Sequence, residues 1–148
     1  MIFTLLAAGA LTALCCYVHL LVLRALKKIL EKRRMGHPLL FIILVLFCAH
    51  LVEVAIFALA LSGLDWAGYG RLLGAVRGGP GWFEDHFYFS IASFTTLGIG
   101  DIVPHGPIRI VAGVEALTGL ILVTWSASFT YLVMERLWTQ SEIAPERR

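Results

Sequence analysis

One short segment, residues 95–101, has the residue types and spacing to coordinate a bare cation. Backbone carbonyls replace the hydration shell of a cation when successive ones point to a common axis. For L-residues this requires right- and left-handed backbone conformations to alternate, and glycine adopts the left-handed ones without steric cost. The segment reads Thr-Thr-Leu-Gly-Ile-Gly-Asp, so glycine occupies alternate positions at Gly98 and Gly100. With the hydroxyl of Thr96, the pattern predicts a stack of about four ligand layers.

A preceding helix must position this segment inside the protein, because polar backbone lies at membrane depth only where protein shields it or where it lines water. Residues 83–95 predict such a helix, with Glu84 and Asp85 in the first turn, where the helix dipole favours acids. At about 13 residues the helix is too short to span a bilayer. Aromatic and aliphatic residues make it apolar on nearly all sides. We therefore expect a re-entrant helix buried in protein, with its carbonyl end aimed at a cation cavity.

The composition indicates an integral membrane protein of one domain. The 148 residues are 59% hydrophobic and 15% charged, and the mean hydropathy is +0.83. This balance excludes an ordinary soluble domain. The cysteines, Cys15, Cys16 and Cys48, lie in apolar runs without metal-ligand spacing and are expected to be inert packing residues.

Three apolar runs predict three transmembrane helices, at residues 1–26, 39–62 and 107–134. A signal peptide is the alternative for the first run, but its positive charges follow the apolar core instead of preceding it. The predicted fold class is therefore an all-α membrane protein. It has three transmembrane helices, a re-entrant helix and a filter-like loop at 96–101. The first helix is expected to pack at the periphery.

Charge placement predicts the orientation in the membrane. The linker at 27–38 is strongly basic, and short basic loops stay in the cytoplasm. The loop at 63–82 then lies outside, and the tail at 135–148 lies inside. We therefore predict a multi-pass cell-membrane protein with its N-terminus outside and its C-terminus cytoplasmic. Membrane lipids are expected partners, and the basic linker suits anionic headgroups.

Ionisable residues inside the predicted spans are expensive in lipid and should face protein or water. His50 and Glu53 are three residues apart, which places them on one helical face. Glu115 lies at a similar predicted depth in the last span. We hypothesise a polar contact of these three side chains behind the filter-like loop; the alternative is that each finds a backbone or water partner.

The cytoplasmic half of the last span mixes bulky and small polar residues. Some of these are expected to line an inner cavity, with Phe129 narrowing it; the candidates are Trp125, Ser126, Ser128, Phe129 and Thr130.

Residues 95–101 resemble the potassium-channel signature Thr-Thr-Val-Gly-Tyr-Gly-Asp. The segment lies between two spans, as in the two-transmembrane pore module of bacterial-like channels. The resemblance covers about residues 39–134 and leaves the first helix as an addition. It implies a homotetramer that conducts K+ passively, because one chain provides only one pore segment.

The resemblance also implies roles for individual residues. Asp101 would sit at the outer mouth and bond to Tyr88 of the pore helix, with Thr95 as further filter support. Gly119 matches the glycine that acts as a gating hinge in the family; close helix packing is the alternative. No cofactor is implied other than permeant K+ ions, which would bind at Thr96, Leu97, Gly98 and Ile99. The residues that would line the filter are Thr96, Leu97, Gly98, Ile99 and Gly100.

Ile99 departs from the signature, because it stands where the family has tyrosine. It keeps the carbonyl but loses the hydroxyl that braces the filter from behind. A weakly selective monovalent-cation channel is therefore the alternative function. A non-conducting accessory or scaffold subunit is the alternative of another class. No catalytic constellation and no nucleic-acid-binding pattern is present in the sequence, so an enzyme is not expected.

Overall fold

Four helices make up most of the chain, as the predicted all-α membrane fold requires. The computed structural model describes residues 2–32, 36–75 and 81–143, with side chains described as far as residue 139. Three helices are long and apolar enough to cross a membrane, so this part of the prediction is confirmed. The elements in chain order are α1 (Ile2–Lys32), α2 (Pro38–Trp66), β1 (Arg71–Leu73), α3 (Trp82–Phe94), β2 (Val103–His105) and α4 (Ile108–Ile143).

The spanning helices continue beyond the ends that were predicted for them. α1 runs to Lys32, into the predicted linker at 27–38, and α4 runs to Ile143, into the predicted tail at 135–148. α2 ends at Trp66 instead of residue 62. Charged residues mark where side chains leave the hydrocarbon, whereas a helix ends only where its backbone hydrogen bonds end. Parts of the predicted linker, loop and tail, at 33–35, 76–80 and 144–148, lie outside the described residues.

The short helix α3 lies within one residue of its predicted bounds and is fastened at its start to α2. Glu84 and Asp85 occupy its first turn, where the helix dipole favours acids. His86 is fully buried. Its Nδ1 donates to the Trp82 carbonyl at 2.8 Å, and its Nε2 lies 3.3 Å from Oδ2 of Asp65 at the outer end of α2. These contacts fix where the re-entrant helix begins.

A two-stranded ribbon, which the sequence pattern did not predict, joins the segment between α2 and α3 to the segment between the filter-like loop and α4. β1 pairs antiparallel with β2, so that Leu72 lies opposite Pro104. Each strand has three residues, too few for an alternating pattern to be visible. The ribbon holds the chain that precedes α3 against the chain that follows the filter-like loop.

Two apolar clusters form the interior, one above the other along the spanning helices. The outer cluster joins all four helices and β1 around residues such as Phe57, Phe94 and Leu122. The inner cluster consists of Leu23, Leu26, Ile42 and Leu46, with Phe129 and Val133 packed against it. The level between the two clusters is polar.

α1 is part of the helical bundle of the single chain, and its expected place at the periphery of the assembly stays a prediction. It packs against both α2 and α4. The hydroxyls of Thr12 and Thr118 are hydrogen-bonded at 2.9 Å, which ties α1 to α4. Side chains on one face of α1 are buried, and these are Thr4, Ala8, Cys15, His19, Leu23 and Leu26.

Gly119 of α4 lies directly against the last residue of α3. A Cβ at this position would clash with the carbonyl oxygen and carbon of Phe94. Backbone atoms cannot move aside as a flexible side chain can. The absence of a side chain at Gly119 therefore allows α4 to approach the end of α3. This gives Gly119 a packing role, while its role as a gating hinge stays a prediction.

We expect Gly119→Ala to destabilise the protein by about 1–3 kcal/mol, because the added methyl overpacks the contact with the Phe94 backbone. The measurement is the thermal unfolding of the purified protein in detergent.

Gly9→Ala is the matched control for this test. A Cβ at Gly9 of α1 meets no atom within 4 Å, and alanine is the better helix former, so stability should be unchanged or slightly higher. Equal unfolding temperatures for the two variants would show that the approach of α4 to Phe94 contributes nothing.

Candidate functional site

The backbone that leaves α3 bonds back to the end of that helix. The N–H of Thr96 donates to Ser93 O at 2.9 Å, and the N–H groups of Leu97 and Gly98 both donate to Ala92 O, at 2.9 and 3.1 Å. Three successive N–H groups are thus directed at the helix that precedes them. These three donors are satisfied from one side, by carbonyls of α3.

The loop has the alternating backbone that its glycines suggest. The φ angles of Thr96, Gly98 and Gly100 are 58°, 56° and 87°, so every second residue from Thr96 is left-handed. Within the described residues, no hydrogen bond is formed to the carbonyl of any residue from 96 to 99. Leu97 and Ile99, between the left-handed positions, are 65% and 54% exposed in the single chain. The arrangement presents unpaired carbonyl oxygens as ligands for a hard cation.

Thr95, which was expected to support the filter, is engaged with α3. Its hydroxyl donates to the carbonyl of Ile91 at 2.7 Å. The hydroxyl therefore pairs one of the last carbonyls of α3 and is not a free ligand.

Asp101 is held by two hydrogen bonds just outside the loop. The Tyr88 hydroxyl donates to Asp101 Oδ2 at 2.9 Å, and the backbone N–H of Ile102 donates to Oδ1 at 2.9 Å. The hydrogen bond to the carboxylate raises the pKa of Tyr88, since the phenol must keep its proton to donate. The pair that the family resemblance implied is therefore present in the structure, and it links the end of the loop to α3.

A groove of about 780 Å³ lies behind the loop, between α3 and α4. Ile99 lines the groove, whereas Leu97 does not. Tyr88 and Asp101 border it on one side, and Gly113 of α4 borders it on the other. Ile99 thus borders the region from which a filter can be braced.

His50 and Glu53 are in contact, as the sequence hypothesis required, and they have two further partners. Oε2 of Glu53 lies 2.8 Å from Nδ1 of His50, and Oε1 lies 2.9 Å from Nδ1 of His19 in α1. The Nε2 atoms of the two histidines lie 3.0 and 3.2 Å from the Ser126 hydroxyl of α4. Glu53, His50, Ser126 and His19 thus form a closed ring of hydrogen bonds, hereafter the polar ring.

Glu115 is not a member of the polar ring, so the hypothesis that all three groups meet was wrong for this residue. Its side chain is fully buried. The hydroxyls of Ser90 and Ser93 of α3 lie near its carboxylate, but neither carboxylate oxygen has a partner with hydrogen-bond geometry in the described part of the chain.

The extra length of α2 explains this difference in depth. Glu53 lies about 20 Å from the end of α2 at Trp66, whereas Glu115 lies about 10 Å from the start of α4. Glu53 therefore lies deeper than Glu115, and the hydrogen bonds of its two histidine partners place the ring at Ser126, about three turns further along α4 than Glu115.

The expected cavity-lining residues of α4 divide into two groups. Ser126 is buried in the polar ring, and Phe129 packs against the inner cluster instead of narrowing a cavity. Ser128 is exposed, on the same side of the helix as Thr124. Thr124, which the sequence reading did not single out, donates its hydroxyl to Leu120 O, and Ser128 donates to Thr124 O.

Sequence reasoning missed His19 as a partner of Glu53 and Ser126 as a partner of the two histidines. A signal for His19 was present, because an ionisable residue in the middle of an apolar span requires a partner inside the protein. Ser126 gave no comparable signal, since a serine in a membrane helix can satisfy itself on its own backbone.

Comparison with known proteins agrees with this geometry. The chain is 35% identical over 83 residues to the inward rectifier potassium channel Kirbac3.1 of Paramagnetospirillum magnetotacticum. The match covers 55% of this chain but only 26% of that protein, so the chain corresponds to about a quarter of its relative. No solved structure matches the chain.

A family model described as "Ion channel" matches residues 40–136. This range contains α2, α3, the loop, Asp101 and most of α4, and it leaves out α1. The match covers more than half of the chain, so this protein belongs to the ion channel family and is a membrane channel protein, as predicted, not an enzyme.

Proposed function

We propose that this protein is a potassium channel that conducts K+ passively through the carbonyls of residues 96–100 as a homotetramer. The observation that carries the proposal is the left-handed backbone at every second residue, Thr96, Gly98 and Gly100, together with carbonyls free of hydrogen bonds. Carbonyl oxygens directed to one axis replace the hydration shell of a monovalent cation. The name of the similar protein, an inward rectifier potassium channel, supports K+ as the ion.

Assembly around an axis is part of the proposal, because a single chain supplies one set of carbonyls. A cation that is stripped of water requires ligands on all sides, so several copies of the loop must face each other. The exposure of Leu97, Ile99 and Leu117 in the single chain fits a surface that other copies cover. Four copies is the number that the family resemblance implies.

We infer that the loop lies toward the outside of the cell membrane, with the N-terminus outside and the C-terminus in the cytoplasm. Arg24, Lys27, Lys28 and Lys32 concentrate positive charge at the end of α1. Positive charge of this kind remains on the cytoplasmic side. The filter loop lies at the opposite end of the bundle, close to β2 and the start of α4.

The alternative is a weakly selective monovalent-cation channel, and the observation that favours it is Ile99. An isoleucine side chain lines the groove behind the loop and carries no hydroxyl. Bracing then depends on the Tyr88–Asp101 hydrogen bond at the outer end.

We expect reconstituted protein to give single-channel currents that reverse near the K+ equilibrium potential, with K+ on one side of a bilayer and Na+ on the other. Reversal near zero would contradict potassium selectivity and favour the weakly selective channel. Complete absence of conductance would favour the scaffold.

Tyr88→Phe is expected to lower the ratio of K+ to Na+ permeability several-fold. The change removes the hydroxyl that donates to Asp101 and keeps the ring, so the outer end of the filter loses one restraint. Reversal potentials measure the effect. Tyr17→Phe is the control, because Tyr17 is exposed on α1, a helix that does not adjoin the loop in sequence. An unchanged ratio for both variants would exclude the bracing role.

Ile99→Tyr is expected to raise the same permeability ratio or leave it unchanged if the ratio is already high. The groove behind residue 99 offers space for the larger side chain, and the phenol adds a donor there. A fall in the ratio would show that the filter of this protein is braced in a way that tyrosine disrupts.

A further inference from the structure

The polar ring lies between the two apolar clusters, at a level where all three spanning helices contribute to it. His19 and Glu53 are fully buried, and Ser126 is nearly so. Along α1 the ring residue His19 falls between Cys15 of the outer cluster and Leu23 of the inner cluster. A charge at such a site is costly unless it is balanced within the ring.

The hydrogen atoms of the ring can be counted. The four contacts are Glu53–His19, His19–Ser126, Ser126–His50 and His50–Glu53, at 2.8 to 3.2 Å, and each requires one hydrogen between its two polar atoms. An ionised carboxylate brings none, two neutral imidazoles bring one each, and the serine brings one. Three hydrogens cannot satisfy four contacts, and such a ring would carry a net negative charge.

One additional proton resolves both problems. If one imidazole is doubly protonated, its Nε2–H donates to the serine, the serine donates to the other Nε2, and both Nδ1–H groups donate to the carboxylate. If the proton is on Glu53 instead, the four contacts are again complete. In either arrangement the ring is neutral, and every polar atom that faces inward is paired.

We propose that the polar ring is a binding site for one proton, and that its occupancy regulates the pore. The proton-binding step rests on the ring geometry alone, whereas the regulation of conduction rests on the proposed function. Loss of the proton leaves a net negative charge and one contact between two acceptors, so α1, α2 and α4 are held together less firmly.

The surroundings of the ring include few other titratable groups. On α1, the Cys15 Sγ lies 4.0 Å from the Glu53 carbonyl oxygen, and Cys16 is the next residue of that helix. On α4, Trp125 packs at 5.4 Å from the His19 ring, and Glu115 acts on Cys15. Among the described residues, the basic groups within 4.0 Å of the Glu53 carboxylate are the two histidines, His19 and His50. The ring must therefore balance its own charge.

A direct path of contacts leads from the ring to the filter loop. The His50 imidazole lies 5.9 Å from the ring of Phe94, the last residue of α3. The Phe94 backbone is in contact with Gly119 of α4, and the loop begins two residues later at Thr96. A change in the position of His50 is thus transmitted to the end of the helix that supports the filter.

A transition-metal ion is the other ligand that two histidines and a glutamate can hold, and these three residues are close enough together to be considered for one. The contacts favour the proton. All four imidazole nitrogens face an oxygen at hydrogen-bond distance, which leaves none free for a metal.

Glu53→Gln tests the proposal with little change in shape. The glutamine amide donates to one Nδ1 and accepts from the other, so four hydrogens fill four contacts without an added proton. We measure the thermal unfolding temperature and the K+ flux of the full chain in liposomes between about pH 5 and about pH 9, which spans the ordinary histidine range.

The wild-type protein is expected to become less stable as the pH rises and the ring loses its proton, and its flux is expected to change over the same range. E53Q should lose both dependences and should behave at alkaline pH as the wild type does at acidic pH. His37→Gln, which removes an exposed histidine outside the ring, should respond as the wild type does. An E53Q variant with the wild-type pH response would overturn the proposal.

The remaining outcomes separate this proposal from the proposed function. If no variant conducts, the potassium-channel function fails, and the stability curves alone decide whether the ring binds a proton. If E53Q is not recovered folded, Ser126→Ala replaces it. This change removes the oxygen that accepts from the Nε2–H of the protonated ring, so the pH at which stability falls should be lower than in the wild type. An unchanged transition pH would overturn the proposal. Stabilisation of the wild type by ZnCl₂, lost in the variant, would overturn it in favour of a metal site.

Discussion

Polar backbone that ends inside a membrane must find its hydrogen-bond partners within the protein, and the pore region depends on this constraint. The N–H groups of Thr96, Leu97 and Gly98 turn back to the carbonyls at the end of α3. The carbonyls of the same residues form no hydrogen bond within the described part of the chain, and this is the basis of the proposed cation site. The contacts that position α3 therefore position the loop carbonyls as well. These are the His86 contacts at the start of α3, the ribbon that follows the loop, and the approach of α4 to the end of α3.

The same constraint acts on side chains at the level of the polar ring. Glu53 lies in the middle of an apolar helix, and its two oxygens are paired by histidines from two different helices. Ser126 completes the ring from a third helix. This explains why α1, which lies outside the residues matched by the family model, is packed into the bundle. α1 supplies His19, a partner for Glu53 that residues 40–136 do not contain.

The features that were predictable from the sequence are those that depend on residues close together in the chain. Run length indicated three spans, the short apolar run before Thr95 indicated a re-entrant helix, and the glycine spacing indicated the alternating backbone. The identity of long-range partners could not be assigned from the sequence: His19 meets Glu53, and Ser126 meets both histidines, only because three helices align at one depth. That depth was misjudged for Glu115, because the end of α2 was placed at residue 62, although the helix continues to Trp66.

The length of α4 has a mechanical consequence. The helix extends about 36 Å beyond Gly119 to Ile143, more than the thickness of the hydrocarbon layer. A tilt of about 10° at Gly119 would displace the far end by about 6 Å, given the rise of about 1.5 Å per residue. Because Gly119 is in contact with the Phe94 backbone, such a tilt would be felt at the end of α3, two residues before the filter-like loop begins at Thr96.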